Sequence, residues 1–271
     1  MKALFFDIDG TLLDFDGQMA PSTKKALDRA RGAGHKLLLC TGRSYGQIYR
    51  KLLAFGFDGI VCAAGADVIC DGQQILHHTM PVEKVNKFCD LFEGRGYCYG
   101  VQTQKQVFVT EEGYDLMRQR FVSAKVAPEM VDSIMDRVRT LPSLRDRRDV
   151  EKMFFNDIPE TVDDVIDALS DPYYFVQPSS FSTLSVHSGE ITERGISKST
   201  GMAAALSFYG LTGGDSVAFG DGPNDADMLE AAGIGVCMGN GMDELKKNAD
   251  LVTDDFHHDG IYHAMERLSL F

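Results

Sequence analysis

No C-x-x-C pair occurs among the six cysteines (Cys40, Cys62, Cys70, Cys89, Cys98, Cys237), and no H-E-x-x-H or zinc-finger spacing among the seven histidines. Scattered cysteines in apolar, strand-like contexts read as buried free thiols in a reducing compartment, which argues against a disulfide framework. The histidines read as ordinary surface or core groups. No apolar stretch approaches the length needed to span a bilayer, and one Lys ahead of a very short apolar run is not the pattern of a signal peptide. A soluble, cytoplasmic protein without a membrane partner is expected. Basic residues are also in deficit, 27 against 40 acidic ones for a net charge of −13. That balance disfavours a broad polyanion-binding surface such as one for nucleic acid, while leaving room for a local basic pocket. There is no fixed-period repeat and no low-complexity tract. With 44% hydrophobic and 25% charged residues in 271, the chain has the composition of a folded protein of two ordinary domains.

Four short apolar runs are present: KALFFD (2 to 7), HKLLLCTG (35 to 42), DGIVCAAG (58 to 65) and DSVAFGDG (215 to 222). Continuous runs of this length suit strands buried on both faces of a parallel sheet. Helix-like segments lie between them, Ser22 to Ala33 with Ser22 as N-cap and Ser44 to Ala54 with Gly56 beyond. Strand and helix alternation spells an α/β class, a doubly wound, mostly parallel Rossmann-like sheet. Ligands of such sheets collect at the carboxyl ends of the strands, where Asp7, Thr41 and Asp221 fall.

The middle of the chain reads differently. A hairpin from Asp67 to His78, turning at Asp71-Gly72, is followed by a helix from Val82 to Phe92. YCYGVQ and KQVFVT read as paired strands, Gly113 to Ser123 and Pro128 to Arg139 as helices, KMFFND as a strand, Pro159 to Leu169 as a helix, and YYFVQ and STLSVHS as strands. These lack the carboxylate-tipped signature, so residues 82–188 are expected to form an inserted α+β domain. Residues 1–81 and 189–271 would form the first domain.

Two carboxylates, Asp7 and Asp9, close the first apolar run. On a continued strand they would share a face, and like charges held that close need a compensating partner. Thr41-Gly42 at the second strand end supplies a hydroxyl and a sharp turn that exposes backbone amides. Lys198 lies near the start of a helix expected over Ser197 to Tyr209, where amide dipoles favour an anion. Gly220-Asp221-Gly222-Pro223-Asn224-Asp225 places one carboxylate at a strand tip and two polar groups at a helix start. Each of these has an ordinary structural explanation alone. Together they bring carboxylates for a hard cation and a hydroxyl and an ammonium for an anion, and all-oxygen donors favour Mg²⁺ over zinc or copper.

Other chemistries lack their residues. No G-x-G-x-x-G follows the first strand, Gly195-Ile196-Ser197-Lys198 lacks the glycine that a P-loop needs before its lysine, and there is no G-x-S-x-G.

In order, DxDGT, the strand-tip TGR, the later SK and GDGxND resemble the haloacid dehalogenase superfamily, in its branch of Cof-type sugar-phosphate phosphatases with an inserted α+β cap. The resemblance implies an Mg²⁺-dependent phosphatase of small phosphomonoesters, such as sugar phosphates, acting through an aspartyl-phosphate. It implies Asp7 as nucleophile, and Asp9 as general acid and then base. It also implies Asp7, Asp221 and the Asp9 carbonyl as Mg²⁺ ligands, Thr41, Gly42, Lys198 and Asn224 around the phosphate, and Asp225 behind them orienting Lys198 or a metal-bound water. The cap would set specificity and close over the substrate. Tyr97, Tyr99, Tyr114 and Phe121 are candidates for lining it, and Arg118, Arg120 and Lys125 for meeting a second anionic group. One departure is visible: Ala63-Ala64-Gly65-Ala66 stands where the branch carries Asn-Gly-Ala, which removes a polar group near the leaving group. The expected partner is a small phosphorylated metabolite, and the expected state a monomer or weak homodimer. A phosphomutase or other phosphotransferase, and a receiver-like Mg²⁺ and phosphate-binding module, are the alternatives.

Overall fold

The computed structural model describes residues 1–14, 17–123, 131–132, 135–156, 158–178 and 187–271. Each of the four apolar runs forms a strand of one sheet: β1 (Ala3–Phe6), β2 (Lys36–Cys40), β3 (Gly59–Cys62) and β12 (Ser216–Gly220). Every residue of β1, β3 and β12 is buried, as continuous hydrophobicity requires of a sheet covered on both faces. β1 lies between β2 and β12, parallel to both, with Phe6 opposite Leu39 and Phe219. The rings of Phe6 and Phe219 stack at 4.8 Å, just beneath the strand tips.

The full order is β14-β13-β12-β1-β2-β3-β4-β5. An antiparallel hairpin of β4 (Asp67–Cys70) and β5 (Gln73–His77) closes one edge, and the parallel β13 (Ile234–Cys237) and β14 (Leu251–Val252) close the other. The hairpin turns at Asp71 and Gly72, both left-handed with φ of 46° and 77°, the geometry of a two-residue turn. Because β1, β2 and β12 are in-register neighbours, the residues that leave their carboxyl ends converge.

Two helix expectations for the first domain need correction. The first helix is Pro21–Gly32 and is entered at Ala20 with Pro21 in its first turn. Proline lacks the N–H that a cap would have to satisfy, so Ser22 lies inside the helix instead of capping it. The stretch Ser44 to Ala54 is not one helix. A 3₁₀ turn at Tyr45–Gln47 precedes a short helix, Arg50–Phe55, which ends at Gly56 in the left-handed conformation that glycine adopts freely.

The chain forms two compact units. The first comprises Met1–Arg43, Ile48–His77 and Ile196–Phe271, and the second Ser44–Gln47 with His78–Gly195. The second unit holds a sheet of order β10-β11-β9-β6-β7-β8. Its strands are β6 (Tyr99–Thr103), β7 (Val107–Val109), β8 (Val138–Thr140), β9 (Val150–Phe155), β10 (Tyr174–Pro178) and β11 (Gly189–Glu193). Since β11 pairs with β9 and β10, the return to the first unit comes at Ile196 and not at Gly189. The helices Val82–Arg95 and Val162–Leu169 supply Phe88, Phe92 and Val165 to a core shared with Tyr99, Val101 and Phe155. Val138 and Arg139, expected to end a helix, stand in β8; residues 128–130 and 133–134 of that expected helix, and the expected strand STLSVHS apart from its last two residues, lie outside the described residues.

Candidate active site

Asp7 extends the register of β1 by one residue, its N–H donating to the Phe219 carbonyl at 3.0 Å. Its side chain is buried and faces Lys198. Lys198 is the first residue of the helix Lys198–Phe208, where the Ser197 hydroxyl caps the Thr200 N–H and the Thr200 side chain reciprocates. This capping box explains why the helix begins here and so why the ammonium enters the site at this level. The Lys198 Nζ donates to Asp7 Oδ1 at 2.6 Å and to Asp225 Oδ1. The second oxygen of Asp225 accepts the N–H groups of Asp221 and Gly222, at 3.0 and 2.9 Å. Asp225 therefore ties the β12 tip to the lysine.

Two glycines permit this crowding. A Cβ on Gly10, where φ is +85°, would lie 2.3 Å from Asp221 Oδ2, and one on Gly220 would lie 2.5 Å from the Asp225 Cβ. The loop after β1 is held by Leu12 and Leu13 N–H groups donating to the Asp7 and Ile8 carbonyls. That loop turns the chain before Asp9, so Asp7 and Asp9 do not share a strand face as a continued strand would require. Asp9 instead receives the Arg43 guanidinium at both oxygens, Nε to Oδ2 at 2.7 Å and Nη2 to Oδ1 at 2.9 Å.

The electrostatics of the cluster follow from burial. Desolvation pushes the Asp7 carboxyl up to about 8; Lys198 opposes that shift, and Asp225 and Asp221 add to it. Burial, with Asp225 nearby, likewise raises Asp221 to about 7, against a hydrogen bond from Thr11. Burial alone would lower Lys198, but Asp225 and Asp7 outweigh it and hold the ammonium firmly protonated.

The shifts carry a sign. Asp7 and Asp221 bind protons more tightly folded than unfolded, so their contribution to stability is complete below the ordinary value of 3.8 and is lost as pH rises through about 7 and about 8. In EDTA, the melting temperature of the wild type is expected to fall relative to Asp221→Asn between pH 5 and 8. Parallel melting curves for the two proteins across that window would contradict the assignment.

Thr41 is buried at the tip of β2, its N–H on the Val61 carbonyl and its Oγ1 accepting the Arg43 N–H at 3.2 Å. The Ala63 and Ala64 N–H groups donate to the Arg43 and Thr41 carbonyls at 2.7 and 3.0 Å, bracing the loop that contains Gly42. Ala63 and Ala64 have φ of 49° and 55°, a conformation that asparagine or glycine takes with less strain. Asn224 is half-buried at the turn after β12, with its Oδ1 packed over Gly222.

Three contacts to this machinery escape the sequence reading. The Thr11 hydroxyl donates to Asp221 Oδ1 at 2.8 Å, the Asn240 side-chain amide to the Gly10 carbonyl at 2.8 Å, and Arg43 to Asp9. Thr11 and Arg43 lie inside motifs already singled out, but partners 210 and 34 positions away leave no local signal. In the second unit, Tyr97 and Tyr99 belong to the buried core, Tyr114 and Phe121 pack against a second cluster, and Arg118 pairs with Asp132 on the surface. The Arg120 side chain and Lys125 lie outside the described residues.

Carboxylate oxygens of Asp7, Asp221 and Asp225 lie within 4.8 Å of one another. This donor set fits a hard divalent cation: all oxygen, two members raised by burial and like charge, and each able to relieve that strain by exchanging a proton for metal. Both Asp225 oxygens already accept hydrogen bonds, which leaves Asp7 and Asp221 as the better donors. Among the described residues no helix is long and apolar enough to cross a membrane, and all six cysteines are buried free thiols.

The chain resembles known proteins along nearly its whole length. The family model described as haloacid dehalogenase-like hydrolase matches residues 4–265. Phosphatase YwpJ of Bacillus subtilis strain 168 is 26% identical over 99% of this chain and 100% of its own length. The 5-amino-6-(5-phospho-D-ribitylamino)uracil phosphatase YitU of the same organism is 26% identical, over 94% and 93%. The solved structure of the HAD subclass IIB sugar phosphatase BT4131 superposes with a TM-score of 0.80 at 27% identity, covering both chains completely.

Proposed function

The chain belongs to the haloacid dehalogenase-like hydrolases, and on that premise we propose that this phosphatase of small phosphomonoesters uses Mg²⁺ and an aspartyl-phosphate on Asp7, with sugar phosphates or related metabolites as substrates. The observation that carries the reading is the buried Asp7–Lys198–Asp225 array beside Asp221. It holds a buried carboxylate at the end of a central strand, next to a fixed cation.

In the proposed reaction an Asp7 oxygen attacks phosphorus in line, forming the acyl phosphate as the bond to the leaving oxygen breaks. Asp9 gives its proton to the leaving alkoxide. It then takes a proton from the water that attacks phosphorus, which releases phosphate and restores the Asp7 carboxylate. Lys198, the Thr41 hydroxyl and the amides around Gly42 stabilise the equatorial oxygens, and Asn224 contacts the phosphate. Asp225 fixes Lys198. Asp7, Asp221 and the Asp9 carbonyl would hold Mg²⁺, which when bound neutralises charge on the phosphoryl group. The relatives' names, a sugar phosphatase and a phosphoribityl-pyrimidine phosphatase, support a polyhydroxylated leaving group.

Release of inorganic phosphate from p-nitrophenyl phosphate tests the reading. It is expected with Mg²⁺, to vanish in EDTA and to return when Mg²⁺ is restored. Undiminished release in EDTA would contradict the metal requirement, and transfer of the phosphoryl group without net phosphate would favour a mutase.

A further inference from the structure

Arg43 and Tyr49 have no role in the chemistry described above, yet Arg43 grips the carboxylate of Asp9 and Tyr49 backs Arg43. The guanidinium grips both oxygens of Asp9, and its Nη2 also donates to the Tyr49 hydroxyl at 3.2 Å. The guanidinium carbon lies 4.7 Å from the centre of the Tyr49 ring. Burial works against the Arg43 charge, but Asp9 outweighs it. The side chain of Arg43 is 11% exposed and that of Asp9 34%, so the clamp is sheltered while the carboxylate remains accessible.

Both oxygens of a doubly gripped carboxylate accept hydrogen bonds, so Oδ1 must be released by Nη2 and take up a proton from solvent before it can give one to a leaving group. The geometry points to a positioning pair that, given the phosphatase reading, presents Asp9 Oδ1 to the leaving oxygen. Nε retains Oδ2, while Nη2 gives up Oδ1 and keeps its existing hydrogen bond to the Tyr49 hydroxyl. Tyr49 thus keeps the guanidinium satisfied as Oδ1 is released, and the stacked ring keeps the fork in its plane. Arg43 and Tyr49 act through Asp9 and touch no reacting atom.

The test is the dependence of kcat/KM on leaving group, measured with aryl phosphates from p-nitrophenyl to phenyl phosphate, together with melting temperature. Tyr49→Phe is expected to lower kcat/KM for phenyl phosphate about 10-fold, and Arg43→Ala about 100-fold, with changes of about 2-fold or less for the p-nitrophenyl ester. Asp9→Asn should lower kcat/KM for both esters and more steeply for phenyl phosphate, and adding Tyr49→Phe to it should cost nothing further. Equal losses for both esters, or additive losses in the double variant, would overturn the inference while leaving the phosphatase reading intact. Failure of the wild type to hydrolyse any of the esters would overturn that reading and this inference with it. Tyr49→Phe removes one hydroxyl only, so it remains informative if Arg43→Ala does not fold.

Discussion

Asp7→Asn is expected to lower kcat/KM for p-nitrophenyl phosphate by about 10⁴-fold or more, because it removes the nucleophile of a two-step displacement. The same substitution should not lower the melting temperature in EDTA near pH 8. Asn matches Asp in shape, and its carbonyl oxygen can still accept the Lys198 hydrogen bond made by Asp7 Oδ1. It also removes a carboxyl whose charged form is opposed by burial and by two neighbouring aspartates. A structural residue would lose stability and activity together; here activity is expected to collapse while stability holds or rises. Retention of turnover in Asp7→Asn, or loss through unfolding alone, would contradict the assignment.

Lys198→Met is expected to have the opposite balance, with both quantities lost. The Lys198 side chain is 1% exposed, and its ammonium is the cation that bridges Asp7 and Asp225. Deleting one member of a buried ionic cluster leaves its partners uncompensated, which costs about 3–5 kcal/mol. Turnover should fall by about 10²–10³-fold at temperatures where the variant is folded, since a fixed charge on the phosphoryl oxygens is lost. Denaturant unfolding in EDTA and steady-state kinetics measure the two separately. Unchanged stability would mean that the contacts of Lys198 with the two aspartates do not hold the site together.

These expectations rest on parts of the chain that differ in how plainly they can be read. The position of Asp7 was legible because a continuous apolar run ends at it, and such a run forms a central strand regardless of what surrounds it. Lys198 was legible from its place near the start of the helix expected over Ser197 to Tyr209, and the β4–β5 hairpin through Asp71-Gly72. The grip of Arg43 on Asp9 was not, because a long side chain at a strand tip can turn several ways, and only the packing of Tyr49 selects one. The bond from Thr11 to Asp221 spans 210 positions and depends on the order of strands, not on local pattern. Ser44 looked like a helix start, but the segment Ser44–Gln47 joins the second unit, where the Gly46 N–H donates to the Gln104 carbonyl. Val138 and Arg139 read as the end of a helix because their apolar spacing suits either state, and the parallel pairing of Val138–Thr140 with Val107–Val109 makes them strand. What remained hidden was tertiary choice among locally acceptable options.

The central claim is that Asp7 itself receives the phosphoryl group. Rapid acid quench of the enzyme turning over p-nitrophenyl phosphate with Mg²⁺, followed by peptide mass spectrometry, tests it most directly. The account predicts a base-labile phosphoryl adduct on the peptide carrying Asp7, formed at a rate competent for turnover and absent from Asp7→Asn. Steady hydrolysis by the wild type with no adduct there, or an adduct on a different residue, would contradict it.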